Sequence, residues 1–278
     1  MGSDKVWFVT GASKGLGLSL VKKLLNNGNK VAATSRSIDD LNKAVGVSDN
    51  FLPLAVSLVT EQSVADAISQ TISRFGRIDV VVNNAGYGLT GSLEELSDKE
   101  TRDNFDINVF GSLNVIRAVM PHLRAQQSGH IFNISSIGGF TSSFPGFGIY
   151  CATKFAVTGF SGALAEEVKE FGVKVTVVLP GYFRTNFLEP DSLNVPKNEI
   201  AEYKKVREIQ NAHQNSINGN QAGDPEKAAA AMIEVAGAVD APLNLFLGQD
   251  AYDIAYQKIE TVKNDLENWK ELTTSTGF

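Results

Sequence analysis

At 278 residues, with 43% hydrophobic and 20% charged side chains, the chain has ordinary globular composition and enough length to bury one large core. Its net charge of −6 and the lack of a long basic run argue against nucleic acid or an anionic membrane as principal partner. The lone Cys151 excludes a disulfide within the chain and fits a reducing, cytoplasmic setting, and no apolar run reaches the length of a membrane span.

The start, Met1 to Lys5, carries no signal-peptide core. It opens Met-Gly, but Val6 stands where a myristoylation site wants Ser or Thr. Strand-like and helix-like segments then alternate. "KVWFV" reads as the first strand, and a helical pattern runs from Leu16 to about Asn26. "KVAATS", "FLPLAV", "RIDVVVNN", "GHIFNIS", "VKVTVVL" and "LNLFL" are the later strand candidates. Most are continuous apolar runs, which suits strands buried on both faces of a parallel sheet. Gly28, Gly76, Gly129 and Gly172 each fall between a helical pattern and the next strand, where glycine can close a helix in the left-handed conformation. Repeated strand–helix–strand units imply right-handed crossovers and one α/β domain over 1–278, a Rossmann-like, doubly wound parallel sheet of about seven strands with helices on both faces. Residues 182–223 break the rhythm. The segment is polar, carries Pro190 and Pro196, and is expected to be an irregular insertion over the substrate. Residues 250–278 are expected to form a helical extension.

"VTGASKGLG" follows the first strand and opens the first helix. Gly11 lets the chain turn, Gly15 lets backbone approach a phosphate, and Gly17 lets the helix pack closely, with helix amides aimed at a pyrophosphate. "YCATK" places Tyr150 and Lys154 at i and i+4, on one face of a helix. Taken alone, that pair reads more readily as an ordinary exposed helix pair than as a catalytic one.

Together these motifs resemble the short-chain dehydrogenase/reductase family. The resemblance rests on Thr10-Gly11-x-x-x-Gly15-x-Gly17, "NNAG" from Asn83 to Gly86, Asn108 in "INVFG", "NISS" from Asn133 to Ser136, Tyr150-x-x-x-Lys154, and Pro180-Gly181 with Thr185 beyond. It spans about Val6 to Thr185, within the branch that contains hydroxysteroid and retinol dehydrogenases and carbonyl reductases. The resemblance implies that Tyr150 is the general acid/base, that Ser136 rather than Ser135 is the donor to the substrate oxygen, and that Lys154 holds the nicotinamide ribose. Asn108 would hold a water linking Lys154 to solvent. A free phenol has a pKa of about 10, so the Lys154 charge, together with that of the oxidised nicotinamide ring when present, is expected to lower that of Tyr150. The implied cofactor set is Gly11, Ser13, Lys14, Gly15, Leu16, Gly17, Ser35, Arg36, Leu58, Asn84, Ala85, Gly86, Tyr150, Lys154, Pro180, Gly181, Phe183 and Thr185. In many members an aspartate after the third strand contacts adenine; here Ser57 takes that place, with the Leu58 backbone beside it.

The second strand ends in Ser35-Arg36, where an NAD enzyme of this type wants a carboxylate. Arg36 and Lys14 favour the 2′-phosphate, so the expected cofactor is NADP(H). Tyr87, Leu89, Phe140, Phe144, Phe147, Tyr182, Phe183, Phe187 and Leu188 are expected to line an apolar substrate pocket, and Arg184 is the one nearby cation. The expected reaction is reduction of ketones or aldehydes to alcohols, and its reverse, on an apolar small-molecule carbonyl or alcohol. A non-catalytic nicotinamide-nucleotide-binding regulator and a 3-oxoacyl-thioester reductase are the alternatives. His122, His130 and His213 are scattered and suggest no metal site. By the same resemblance the helix from Tyr150 to Phe171 pairs across a two-fold axis. The expected assembly is a homodimer or homotetramer, and the Trp269 stretch favours the dimer by standing in the way of a second interface.

Overall fold

A computed structural model describes residues 5–278, so the Met-Gly start lies outside the described residues. In chain order the elements are β1 (Val6–Val9), α1 (Gly15–Asn26), β2 (Lys30–Ser35), α2 (Ile38–Val45), β3 (Phe51–Ala55), α3 (Glu61–Phe75), β4 (Val80–Asn83) and β5 (Gly88–Leu89). They continue with α4 (Asp98–Phe105), a π turn (Asp106–Phe110), α5 (Gly111–Gln126), β6 (Gly129–Ile134), α6 (Gly148–Val168) and β7 (Val173–Pro180). After these come β8 (Leu193–Asn194), α7 (Lys204–Asn211), a second π turn (Ala212–Ile217), α8 (Pro225–Gly237), β9 (Asn244–Leu247), α9 (Gln249–Asn268) and α10 (Lys270–Thr274).

Seven strands form one parallel sheet in the order β3-β2-β1-β4-β6-β7-β9. The apolar runs are explained by helices on both faces. Trp7 and Val9 enter one core with α1 and α8, whereas Phe8 between them enters the other with α3, α5 and α6. A strand that alternates between two dry faces has no use for polar alternation. The strand order reverses between β1 and β4, and their carboxyl ends open the crevice where doubly wound sheets bind ligands.

Two expectations need correction. Gly28, Gly76 and Gly172 do take positive φ, but Gly129 does not. It opens β6, and the left-handed residue closing α5 is Gln127, at φ 52°. Gly129 serves packing instead, because a Cβ there would meet Leu123 Cδ2 at 2.9 Å.

Nor is the 182–223 segment irregular. It carries β8, α7 and a π turn, and it is pinned to the chain after β4. β8 pairs in parallel with β5, Gly88 opposite Leu193. The Arg207 guanidinium lies 2.8 Å from Glu95, whose side chain is fully buried. Glu95 also accepts from Ser92 N at 2.7 Å and Ile200 N at 2.8 Å. Burial pushes that carboxyl up, but the Ile200 and Ser92 hydrogen bonds and the Arg207 charge outweigh it and hold the group below its ordinary value. Sequence patterning misses this anchor because its partners lie more than 100 residues apart.

The glycine positions give a graded test of backbone strain. Alanine at Gly28 meets nothing within 4 Å, so its cost is the left-handed conformation alone, about 1 kcal/mol. At Gly172 the new Cβ would also meet Gln127 O at 2.6 Å. Urea denaturation is expected to show Gly172→Ala clearly less stable than Gly28→Ala; equal midpoints would contradict the packing described.

Candidate active site

The glycine turn and the loop after β4 are locked together by Thr10. Its hydroxyl accepts from Asn84 N at 3.0 Å and Ala85 N at 3.1 Å, while Asn84 Nδ2 donates to Thr10 O and Gly11 O at 2.9 Å. Gly11 has φ +64°, and a Cβ there would lie 2.7 Å from Ala85 Cα. Only glycine satisfies both the backbone and the contact. Gly15 also has positive φ and faces open space, its nearest neighbour being Thr185 Cβ at 3.7 Å. The first turn of α1 carries no acidic residue, so its free amides and dipole can receive an anion.

α6 is seated on the sheet by buried polar bonds. Asn83 donates to Asn133 at 2.8 Å, Asn133 donates to Ser161 at 2.8 Å, and Ser135 Oγ donates to Lys154 O at 2.9 Å. Ser135 is therefore occupied with holding the helix. Ser136 is left in the cavity wall with Tyr150, and its hydroxyl accepts from Gly138 N at 3.0 Å.

One cavity of about 910 Å³ brings together Ser136, Tyr150, Lys154 and every residue of the expected cofactor set except Gly17. Gly17 is buried behind the turn, where a Cβ would meet Gly11 O at 2.7 Å. Asn108 also stands back from the wall. It sits in the first π turn, with Nδ2 donating to Tyr87 O at 3.0 Å and Thr153 Oγ1 at 3.1 Å and Oδ1 accepting from Tyr87 N at 3.0 Å. Its side chain is thus satisfied by protein. Arg36 is exposed at the cavity mouth and forms no ion pair among the described residues. The Ser35 hydroxyl is turned away, donating to Ser37 O and accepting from Ser37 N at 3.0 Å. Lys14 Nζ reaches Asp191 O at 3.5 Å.

Tyr150 and Lys154 are both buried, with Lys154 Nζ 5.7 Å from the centre of the phenol ring and donating to Ile134 O at 2.9 Å. Burial pushes the Tyr150 phenol well above its ordinary range, and the Ser136 hydrogen bond offsets only part of that. The expected lowering by Lys154 is thus not present in the chain by itself. Burial likewise pulls the Lys154 ammonium down to about 8.

The aromatic end of the cavity contains Tyr87, Phe144, Phe147, Tyr182, Phe183, Phe187 and Leu188. Two expected members are elsewhere: Leu89 is buried in β5, and Phe140 packs edge-on against Phe246 at 5.2 Å. Arg184 lies outside the wall and donates to Gln221 O at 3.1 Å. His213 was not anticipated. It enters from the second π turn and bonds Tyr182 Oη at 2.8 Å. No cluster of His, Cys, Asp and Glu able to hold a metal occurs among the described residues, and no helix among them is long and apolar enough to cross a membrane.

The comparisons with known proteins agree with this architecture. The short chain dehydrogenase family model matches residues 5–195. The chain is 37% identical over 275 residues to "Oxidoreductase BOA17" of Botryotinia fuckeliana, covering 98% of this chain and 99% of that one. It is 35% identical over 246 residues to "3-ketodihydrosphingosine reductase" of Bacteroides thetaiotaomicron, covering 88% of each. A short-chain dehydrogenase from Streptomyces avermitilis superposes with a TM-score of 0.91 at 36% identity, covering 100% of both chains. The chain belongs to the short-chain dehydrogenase family and is an oxidoreductase of that family.

The buried lysine has a signature in stability. Its folded-state pKa lies near 8, below its ordinary 10.5, so between those values the unfolded chain holds the extra proton and stability rises with pH. The raised Tyr150 opposes this only above about pH 10. Wild type compared with Lys154→Met by urea denaturation is expected to gain about 2 kcal/mol between pH 7.5 and pH 10. A constant difference would contradict the buried, proton-shedding lysine.

Proposed function

We propose that the chain is an NADPH-dependent reductase of ketones and aldehydes, with Tyr150 as proton donor. The observation that carries the reading is that the glycine turn, the Ser136–Tyr150–Lys154 group and an aromatic enclosure share one cavity. The residues fit a nicotinamide dinucleotide. Gly11 and Gly15 leave the backbone bare where phosphates would lie, and the acid-free first turn of α1 faces that place. Bound reduced cofactor supplies the hydride.

The remaining work falls to the chain. Ser136 and Tyr150 orient a carbonyl oxygen by donating to it, and Tyr150 gives up its proton as the oxygen becomes an alcohol. A phenol raised by burial is held protonated, which suits the reducing direction. Lys154 would clasp the ribose hydroxyls, and its charge together with that of the oxidised ring would stabilise the phenolate left when Tyr150 gives up its proton and, in reverse, would ease deprotonation of Tyr150. Asn108 acts as a positioning residue that holds the Tyr87 loop and, through Thr153, the turn of α6 that carries Tyr150. Arg36 and Lys14 read the 2′-phosphate; with the Ser35 hydroxyl tied into its own turn, Ser35 contributes by not being a carboxylate. The 182–223 segment closes the substrate end. Apolar carbonyl compounds suit the aromatic wall, and 3-ketodihydrosphingosine, named for one relative, belongs in the first assay set.

Self-association is part of the reading. Phe155 on α6 is 42% exposed and Phe110, just before α5, is 50% exposed, so both helices offer apolar side chains to a second copy. Light scattering is expected to give a dimer, and a monomer at micromolar concentration would remove this part of the proposal.

The enzymatic test is a ketone panel with NADPH and NADH, followed at the nicotinamide absorbance. We expect at least one ketone to turn over with NADPH preferred about tenfold or more, since one charge-assisted bond suffices for that factor. Tyr150→Phe is expected to lose about 10²–10⁴ in rate while retaining NADPH binding. Turnover by the Phe variant within a few-fold of wild type would refute the role given to Tyr150, and equal use of both cofactors would refute the role given to Arg36 and Lys14.

A further inference from the structure

The hydrogen-bond chain at the aromatic end has a fixed direction. His213 Nδ1 lies 2.7 Å from Ile209 O, and a carbonyl oxygen can only accept. Nδ1 therefore carries the ring proton, and in the neutral imidazole Nε2 is left as a lone pair. Tyr182 Oη, 2.8 Å from that lone pair, must donate to it. With its one proton committed, the Tyr182 hydroxyl keeps only acceptor capacity for anything else in the cavity it lines.

Both partners are held in place. Tyr182 N donates to Asp250 Oδ2 at 2.7 Å, and Tyr182 O accepts from Gly223 N at 2.9 Å. The His213 ring is tilted against Phe147, with centroids 4.7 Å apart, and Phe147 in turn lies edge-on to Tyr150 at 6.3 Å. Burial pulls the His213 imidazolium down, so the neutral ring is favoured, although the Ile209 bond acts the other way. The cavity thus contains hydroxyls of opposite sense. Ser136 and Tyr150 can donate to a carbonyl, and Tyr182 can only accept.

Building on the carbonyl-reductase reading, we propose that the Tyr182–His213 pair is a specificity site that accepts a hydrogen bond from a hydroxyl or amine carried by the substrate, beside an apolar body enclosed by Phe147 and Phe187. The preferred substrate class is then a hydroxy- or amino-substituted ketone rather than a plain hydrocarbon ketone. His213 acts as a positioning residue, through Tyr182.

A fluorine is close to a hydroxyl in size but cannot donate a hydrogen bond, which isolates the proposed bond. The test uses long-chain ketones bearing a hydroxyl two to six carbons from the carbonyl, each paired with its fluoro analogue. Affinity for the protein with NADP⁺ is measured by calorimetry, and kcat/KM is measured with NADPH. For at least one spacing the hydroxyl compound is expected to be preferred about five- to tenfold, chiefly in Kd and KM. In Tyr182→Phe that ratio is expected to fall to about one, and in His213→Phe, where the Tyr182 proton is released to the cavity, to fall or invert. No preference at any spacing, or a preference that survives Tyr182→Phe, would overturn the proposal. Absence of turnover with every ketone would instead count against the reductase reading, while the calorimetric ratios would still decide for or against the acceptor site.

Discussion

A reciprocal pair of hydrogen bonds joins the end of β6 to one turn of α6, and the rest of the site depends on it. Lys154 Nζ donates back to Ile134 O, while Ser135 Oγ donates forward to Lys154 O. The two bonds cross the boundary between sheet and helix in opposite directions. They fix both the rotation of α6 and its height above the sheet. Tyr150, one turn earlier, is thereby carried to the cavity wall next to Ser136. The deeper link through Asn83, Asn133 and Ser161 holds the same helix to two strands at once. Buried polar groups of this kind cost free energy unless satisfied, and here they specify one docking of α6.

The same burial that fixes the geometry sets the chemistry. Charge is expensive in a dry wall, so the phenol is driven towards its protonated form and the ammonium towards its neutral one. The sequence points to two charges, Lys154 and the oxidised nicotinamide ring, and on that basis the tyrosine is expected to be made more acidic. In the folded chain desolvation is the larger effect, and the carbonyl of Ile134 already takes a lysine proton donor. Tyr150 is therefore stored as an acid, and making it a base requires further positive charge in the cavity.

Much of this was legible in the sequence, and for physical reasons. Strands dry on both faces must be apolar throughout, so Trp7-Phe8-Val9 could be read at sight. Gly11 is demanded by both φ and contact, so its spacing from Gly15 carries information. What stayed hidden arises from contacts between distant segments. Gln127 rather than Gly129 closes α5, because the choice of left-handed residue rests on a single local dihedral. The Glu95–Arg207 anchor turns a polar, proline-bearing stretch into ordered structure, and neither partner's neighbourhood announces the other. Phe140 in the Ser136–Tyr150 loop and Leu89 after Gly86 lie in the segments expected to build the pocket, but Leu89 is buried in β5 and Phe140 packs against Phe246. His213 looked like one of three unrelated histidines until the second π turn placed it on Tyr182.

The proposed reductase chemistry has Tyr150 and a bound nicotinamide acting on one carbonyl within a single cavity. The most direct measurement is the fate of a label: NADPH carrying deuterium at the transferring C4 position, incubated with the best ketone, and the alcohol examined by mass spectrometry and proton NMR. The expected product carries one deuterium on the carbinol carbon, delivered to a single face, with the hydroxyl proton coming from solvent. Tight NADPH binding with no deuterium in any product, across the full ketone panel, would contradict it and leave a nucleotide-binding protein without turnover.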